Sequence, residues 1–402
     1  MLIVRFLLLS LAVAGSLSST VYLVLAIAGA VQFRKQSAQQ RRKADLQQKA
    51  GLPRVSILKP LHGTESQLER DLASFFEQHY GGEFEVIFSV EREDDSALPV
   101  ARRVCETYKN VPSQILVTGE HVWPNPPADA FSRMAKAAKH DILVTSDSDV
   151  EVDTTYLASV VPPLCEAKTG MVTCVYRGLN LGGFWSSLDA VGMSVEMTAG
   201  VLVANLLEGM KFGLGPTIAV RRDALEAIGG FEALGDFLSN DFVIGNMIAA
   251  EGFDVILSRH IVSHVVTPMT FREAWQRQIR WATGTKYSRP RGHFGTVLVF
   301  AIPYGVLGLL AGSLTGHTAI GLFLFGWSLA NRVIESVAIG WGVTRDRNCL
   351  TKPWLYPLRD LLGFIVWVAS YLSRNMHWRG RRFELVKGGR LRVRDRAPLE
   401  QE

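Results

Sequence analysis

Apolar runs of two lengths alternate along this chain, and the difference separates two environments. Residues 2–31 are apolar except for Arg5 and a few small hydroxyl side chains. Such a run is long enough to cross a hydrocarbon core of about 30 Å with some tilt, and it predicts a transmembrane helix. From Pro53 the runs become short and alternate in kind. Residues 55–58 predict a buried strand and 66–77 a helix with Leu68, Leu72, Phe75 and Phe76 on one face. Strands at 84–90, 114–117 and 142–146 alternate with helices at 97–108 and 131–139, which predicts an α/β domain with a mainly parallel sheet. Beyond it, 155–167 reads as a helix, 170–175 and 217–220 as strands, 222–228 and 241–250 as helices, and 255–257 and 261–266 as strands.

The apolar pattern lengthens again toward the end. Residues 184–211 mix large apolar with small residues and are too interrupted for a confident span, although their character suits a surface that meets lipid. Residues 270–281 predict an amphipathic helix. Residues 294–314 and 319–343 then predict a membrane hairpin around Thr315-Gly-His317, in which Arg332 and Glu335 must face protein or pair. A last apolar stretch, 361–372, is short for spanning and reads as interfacial or re-entrant. The expected division is a membrane anchor at 1–33, a basic linker at 34–52, a soluble domain at 53–290, a hairpin at 291–345, and an interfacial helix with a basic tail at 346–402.

Charge fixes an orientation. The chain's 43 basic and 38 acidic residues leave +5, and the excess is concentrated in 34–49 and 374–396. Basic clusters beside membrane segments place the soluble domain and the tail in the cytoplasm. No interleaving of aromatic with basic residues argues for nucleic acid. Ala26-Ile-Ala28 resembles a signal-peptidase site, but the apolar run before it exceeds a cleavable core, so an uncleaved anchor is expected. Cys105, Cys165, Cys174 and Cys349 form no Cys-x-x-Cys pair, as suits a reduced compartment.

The candidate chemistry lies where predicted strands end, the edge at which open α/β sheets bind ligands. The strand 142–146 breaks into Asp147 and Asp149, one residue apart. A carboxylate pair of this kind can share Mg²⁺ or Mn²⁺ with substrate phosphates, although acidic turns after strands are often merely solvated. The strand 84–90 ends in Glu91-Arg-Glu-Asp-Asp95. Asp241 opens a helix, where a preferred cap residue is the bland reading and a helix dipole holding a carboxylate ionised is the functional one. His260 and His264 could reach a metal, with His264 a candidate third ligand, though buried histidines usually serve structure. Arg277 and Arg280, at i and i+3, lie on one helix face with Trp281 beside them, where two guanidinium forks could hold a diphosphate or an anionic membrane surface.

Val55-Ser-Ile-Leu-Lys-Pro-Leu-His-Gly63, Asp94-Asp95, Ser146-Asp-Ser-Asp149, Asn240-Asp241 and Arg277-x-x-Arg280-Trp281 occur in an order that resembles membrane glycosyltransferases of the ceramide glucosyltransferase type. The resemblance covers residues 53–290 and the Trp378-Arg-Gly-Arg stretch. Val172-Thr-Cys-Val-Tyr-Arg-Gly178 and Gly215-Pro-Thr-Ile-Ala-Val-Arg-Arg222 look like the bacterial branch associated with hopanoid biosynthesis. The resemblance implies a GT-A, Rossmann-like fold and an inverting transfer from a UDP-sugar to a membrane lipid in the bacterial inner membrane. The branch implies N-acetylglucosamine as the sugar and a hopanoid such as bacteriohopanetetrol as acceptor. It further implies that Pro60, Glu65, Asp94 and Asp95 bind the donor, that Asp147 and Asp149 hold the metal and diphosphate, that Asp241 receives the acceptor's proton, and that Arg277, Arg280 and Trp281 contact the leaving group. Two positions depart from the pattern: Asn125-Pro-Pro127 lacks the lysine that relatives carry, and Asn240 replaces an acidic residue. Rival readings are a ceramide glucosyltransferase using UDP-glucose, a processive polysaccharide synthase, and a catalytically silent membrane binding protein.

Overall fold

The computed structural model of the chain describes residues 2–372, 375–378 and 381–393. It falls into two compact units, one of Met1–Gln32, Asn180–Leu207 and Pro268–Trp378, the other of Phe33–Leu179, Glu208–Thr267 and Arg379–Glu402.

The second unit is built on an eight-stranded sheet of β1 (Val55–Pro60), β2 (Phe84–Val90), β3 (Ser113–Val117), β4 (Ile142–Ser146), β5 (Val150–Glu151), β6 (Thr169–Asn180), β7 (Thr217–Arg221) and β8 (Asp254–Val266). Their spatial order is β3-β2-β1-β4-β7-β6-β8-β5. β1, β2, β3 and β4 pair in parallel, β1 at the centre with Val55 opposite both Phe84 and Ile142. The expected mainly parallel sheet therefore holds for one half. In the other half, β4 pairs antiparallel with β7, β7 with β6, and β8 with β5. The cause is visible in the chain: after β4 the regular strand–helix alternation stops, and strands of 12 and 13 residues take over. Ile57, Leu58, Val86, Phe88, Leu143 and Val144 are fully buried, as strands covered on both faces require.

Several predicted elements shift for local reasons. The helix expected over 155–167 is a turn, Leu157–Val160, followed by a 3₁₀ segment, Pro162–Cys165, because two successive prolines remove amide donors. The helix expected from Phe131 starts at Pro126, where Asn125 accepts from the amide of Ala128 and prolines fill the first turn. The strands expected on either side of His260 are one continuous β8. Residues expected as a basic tail are in part structured: Arg381–Val386 and Arg390–Val393 form an antiparallel hairpin. It joins the segment before Asp241 through Leu238 N–H to Gly389 O at 3.0 Å and Leu391 N–H to Asp236 O at 2.7 Å. Arg379 and Gly380 of the Trp378-Arg-Gly-Arg stretch lie outside the described residues.

The first unit is helical. The expected anchor and linker belong to one helix, Leu2–Ala50. Among the described residues, four helical stretches are long and apolar enough to cross a membrane, namely Ile3–Gln47, Phe184–Glu208, Thr318–Trp341 and Leu355–Leu372. Pro290–Leu298 and Ile302–Thr315 pass the same test together but bend by 44° at their break. The short stretch expected at 361–372 is thus the end of an 18-residue helix that starts at Leu355. In the hairpin, Gly316 adopts a left-handed φ of 78° and closes the helix Ile302–Thr315. Arg332 pairs with Glu335, lies 3.6 Å from Asp360, and donates to Val299 O at 2.6 Å. Asp360 accepts from the amides of Ala301 and Ile302 at 3.0 and 2.8 Å. These charges satisfy the backbone groups that the bend releases.

Candidate active site

The site in the second unit begins at the carboxyl end of β4. Ser146 lies opposite Thr217 of β7, and its hydroxyl donates to Pro216 O at 2.9 Å, so the turn carrying Asp147 is fastened to the loop before β7. That loop contains Gly215, whose amide donates to Asp241 Oδ2 at 2.8 Å. A Cβ placed on Gly215 would lie 3.3 Å from Asp241 Oδ2 and 3.7 Å from Asp147 Oδ2. The absent side chain leaves one small space faced by both carboxylates. Gly213 N–H donates to Asp241 O at 3.0 Å and holds the same loop on the start of the helix Asn240–Ala250.

Asp241 is not the cap of this helix. Ser239 takes that position, and Asp241 sits in the first turn, with Asn240 Oδ1 accepting its amide at 2.9 Å. Burial raises the pKa of Asp241 above the usual carboxylate range, and the amides of Phe242 and Gly215 pull against that shift. The helix N-terminus does not act on Asp241 alone, since loss of solvent shifts its pKa in the direction opposite to the hydrogen bonds.

Asp149 is anchored from the other side. Its carbonyl accepts Val265 N–H at 2.8 Å, and its Oδ2 lies 3.3 Å from His264 Nε2, His264 being paired with Val150 across β5 and β8. Asp149 Oδ1 is buried and accepts no hydrogen bond. Among the described residues, no three His, Cys, Asp or Glu side chains form a closed metal cage. An orphaned carboxylate oxygen in an open oxygen-rich site suits a cation that keeps water and substrate phosphates in its shell, as Mg²⁺ and Mn²⁺ do. His260 reads differently: burial lowers its pKa to about 4, so it stays neutral in the sheet as a structural residue.

Asp94 and Asp95 separate in role. Asp94 is exposed and forks onto Arg92 at 2.6 and 2.8 Å. Asp95 is nearly buried and accepts from the amides of Gly63 and Ala97 at 3.0 and 2.8 Å, which ties the exit loop of β1 to the helix after β2. Pro60 and the half-buried Glu65 flank that loop.

The sequence reading passed over Lys59 and Asp71. Lys59 is fully buried, donates from Nζ to Asp147 O at 2.6 Å, and lies 3.8 Å above the Phe75 ring. Burial lowers its pKa while Asp71, Asp147, Asp149 and Glu65 raise it. Asp71 is also fully buried, neither of its oxygens accepts a hydrogen bond, and burial raises its pKa against the pull of Lys59. The signal was present in the sequence: Asp71 occupies the apolar stripe of Leu68, Leu72 and Phe75, and Lys59 ends an otherwise apolar strand.

The structure places Arg277, Arg280 and Trp281 in the first unit, on the helix Phe271–Ser288, whose start Thr270 and Glu273 close as a capping box. Arg277 Nε lies 3.4 Å from Asp189 Oδ2, and its guanidinium stands 4.7 Å from the Trp281 ring centre.

A half-parallel sheet delivers carboxylates from strand ends beside a third borne on a helix, at the edge where open α/β sheets bind ligands. The chain belongs to glycosyl transferase family 21, whose profile matches residues 17–391. Ceramide glucosyltransferase 1 of Caenorhabditis elegans is 24% identical over 353 residues, covering 85% of this chain and 74% of that protein. Ceramide glucosyltransferase 3 of the same organism is 22% identical over 350 residues, covering 85% and 75%. Among solved structures, the mannosyltransferase PcManGT from Pyrobaculum calidifontis, in complex with GDP-Man and Mn²⁺, shares 19% identity over 87% of this chain and 99% of its own, with a TM-score of 0.49.

Proposed function

We propose that this enzyme transfers a sugar from a UDP-sugar to a hydroxyl of a membrane lipid, with inversion at the anomeric carbon. The observation that supports it is the opening at Gly215, where Asp147 and Asp241 face the same space. Asp147 and Asp149 would hold Mg²⁺ or Mn²⁺. The bound cation would offset the diphosphate's charge as the sugar departs. Asp241 takes the proton of the acceptor hydroxyl while its oxygen bonds to the anomeric carbon and the bond to the diphosphate breaks. Lys59 fixes the backbone of Asp147, and Asp95 shapes the β1 exit loop on which Pro60 and Glu65 would meet the uridine. A leaving-group role for Arg277, Arg280 and Trp281 is supported by motif order alone.

For donor and acceptor, the hopanoid-branch segments around Tyr176 and Gly215 favour N-acetylglucosamine and a polyhydroxylated hopanoid. The named relatives favour UDP-glucose and ceramide as the second reading. The resemblance to the hopanoid branch favours a bacterial inner membrane, and the basic run after the first apolar segment favours the cytoplasmic side for the sheet unit. Mass spectrometry of lipid extracts, after incubation of the full chain with each UDP-sugar and either bacteriohopanetetrol or ceramide, decides between them. The expected product is the hopanoid carrying one N-acetylhexosamine. A hexosylated ceramide would establish the second reading, and no lipid product from any pairing would remove both.

A further inference from the structure

Residues 235–239 lead from the 3₁₀ turn Phe231–Leu234 to the helix Asn240–Ala250 and so deliver Asp241 to the site. They lie in neither a helix nor a strand of the main sheet, and their backbone is held from two sides. On one side, Asn125 donates its amide to Gly235 O at 2.9 Å and its side chain to Phe237 O at 2.6 Å. Trp123 packs there so closely that a Cβ on Gly235 would lie 2.6 Å from its ring. On the other side, Leu391 N–H donates to Asp236 O at 2.7 Å and Leu238 N–H to Gly389 O at 3.0 Å. This second grip comes from the far end of the chain, and all of these residues belong to the same compact unit.

The hairpin of Arg381–Val386 and Arg390–Val393 is packed in place, since Phe383, Leu385 and Leu391 are buried. Leu391 stands opposite Leu385, but its amide is spent on Asp236, so the outer edge of the hairpin takes 236–238 as an added strand. Phe237 meets Arg390 across this antiparallel contact, and the guanidinium stands 5.1 Å from the ring centre. The eight-stranded sheet is complete without these residues, so what the hairpin fixes is local. Held by Asn125 alone, a short and partly exposed connection with fewer backbone bonds opens readily.

We infer that the hairpin is a positioning element for the general base: it fixes the entry to the helix Asn240–Ala250, so that Asp241 faces the space at Gly215 in the geometry proton transfer needs. This rests on the reading of Asp241 as the base. The bland alternative is that the hairpin only buries its own apolar face and closes an edge of the unit, in which case its loss weakens donor binding and transfer alike.

The test compares the full chain with Leu391→Pro, which removes the amide donor to Asp236 at the outer edge of the hairpin. Each is assayed with UDP-N-acetylglucosamine and bacteriohopanetetrol, or with UDP-glucose and ceramide if that is the pair turned over. Leu391→Pro should lower kcat about 10- to 100-fold, as misplacing a reacting group by about 1 Å does, while the donor KM stays within about twofold. Combined with Asp241→Asn, it should lower the residual rate by less than about twofold, because positioning a base that is already gone gains nothing. Unchanged kcat, equal losses in both backgrounds, or a donor KM that rises as kcat falls overturns the proposal and leaves the base in place. Near-normal turnover of Asp241→Asn alone removes the base, and the hairpin's part with it. A reversible variant separates position from misfolding. Phe237 and Arg390 form a pair of the narrow, non-hydrogen-bonded kind, in which Cα atoms lie about 4.5 Å apart, within reach of a disulfide. Phe237→Cys with Arg390→Cys, added to Leu391→Pro and oxidised, should restore most of kcat, and a thiol should remove it again; the four native cysteines are free and do not respond. Turnover of that variant indifferent to the thiol overturns the proposal.

Discussion

Replacing Gly215 by alanine adds one methyl group where Asp147 and Asp241 face each other. On the existing backbone its Cβ would stand 3.3 Å from Asp241 Oδ2 and 3.7 Å from Asp147 Oδ2, a contact that a shift of a few tenths of an ångström relieves. Gly215 is not among the residues with a positive φ, so alanine meets no backbone strain there, and the 2.8 Å bond from its amide to Asp241 survives. The crowding is offset by the lower entropy of the unfolded alanine chain, worth about 0.4–1 kcal/mol, so folding stability should stay within about 1 kcal/mol of wild type. Catalysis has no such margin. On the proposed mechanism the methyl fills ground that the acceptor hydroxyl needs, and a displacement of about 1 Å in a reacting group lowers rates by about 100-fold. That corresponds to about 2.7 kcal/mol of barrier at 1.36 kcal/mol per tenfold. Initial rates at saturating UDP-sugar, read beside a urea melt of the same preparation, test both halves. A variant that melts like wild type and turns over within about threefold of it would show that the opening is not where transfer occurs.

Asp241→Asn should fold and bind donor while losing most transfer, since the amide is isosteric but cannot accept the proton; near-normal turnover would send the search for the base elsewhere. Because burial raises the Asp241 pKa, the acid limb of the wild-type rate profile should lie above the ordinary carboxylate range. The linked stability is fully present below the unfolded carboxyl's pKa and is lost as pH rises through the folded one, so urea melts should show Asp241→Asn gaining on wild type as pH rises. Asp149→Ala should lower turnover by orders of magnitude and abolish Mn²⁺ binding measured by calorimetry, and EDTA should mimic it; rates indifferent to both would remove the metal. Lys59→Met should destabilise the fold by removing the donor to Asp147 O and the positive charge that opposes the burial shift of Asp71, and adding Asp71→Leu should recover part of that loss. Strictly additive effects in that cycle would mean the two groups do not interact.

What could be read from the chain depended on range. The strands β1 to β4 and the helices between them were legible, because each is a local pattern bounded by local signals such as the end of β4 at Asp147. The antiparallel half was not, since nothing in residues 254–266 announces that β8 runs unbroken through His260 to pair with β5 at His264. Asp147, Asp149 and Asp241 were recognisable as carboxylates in telling places. The convergence of Asp147 and Asp241 was not, because it rests on an atom that Gly215 lacks. Lys59 and Asp71 break the apolar pattern at two separate places, and only the fold makes one the answer to the other. The hairpin at 381–393 hid behind its charge, which reads as a solvated tail until its backbone is seen bonded to Asp236 and Leu238.

The cluster of Arg332, Glu335 and Asp360 bears on how the chain is made. A helix leaving the ribosome with Arg332 and Glu335 in its second half meets an insertion cost, about 2.5–3.5 kcal/mol for a charge at mid-span and less toward the end, and its stabilising partner Asp360 has not yet been synthesised. Thr318–Trp341 should therefore linger at the insertion machinery until Leu355–Leu372 emerges, and the two should enter the bilayer as a pair. A chain stopped at residue 345 should leave the 318–341 segment open to protease in membranes that protect it in the complete chain. Full protection of the shortened chain would show that the segment inserts unaided. Exposure of the segment in the shortened chain would mean that order of synthesis, and not only final contact, is written into where these three charges fall.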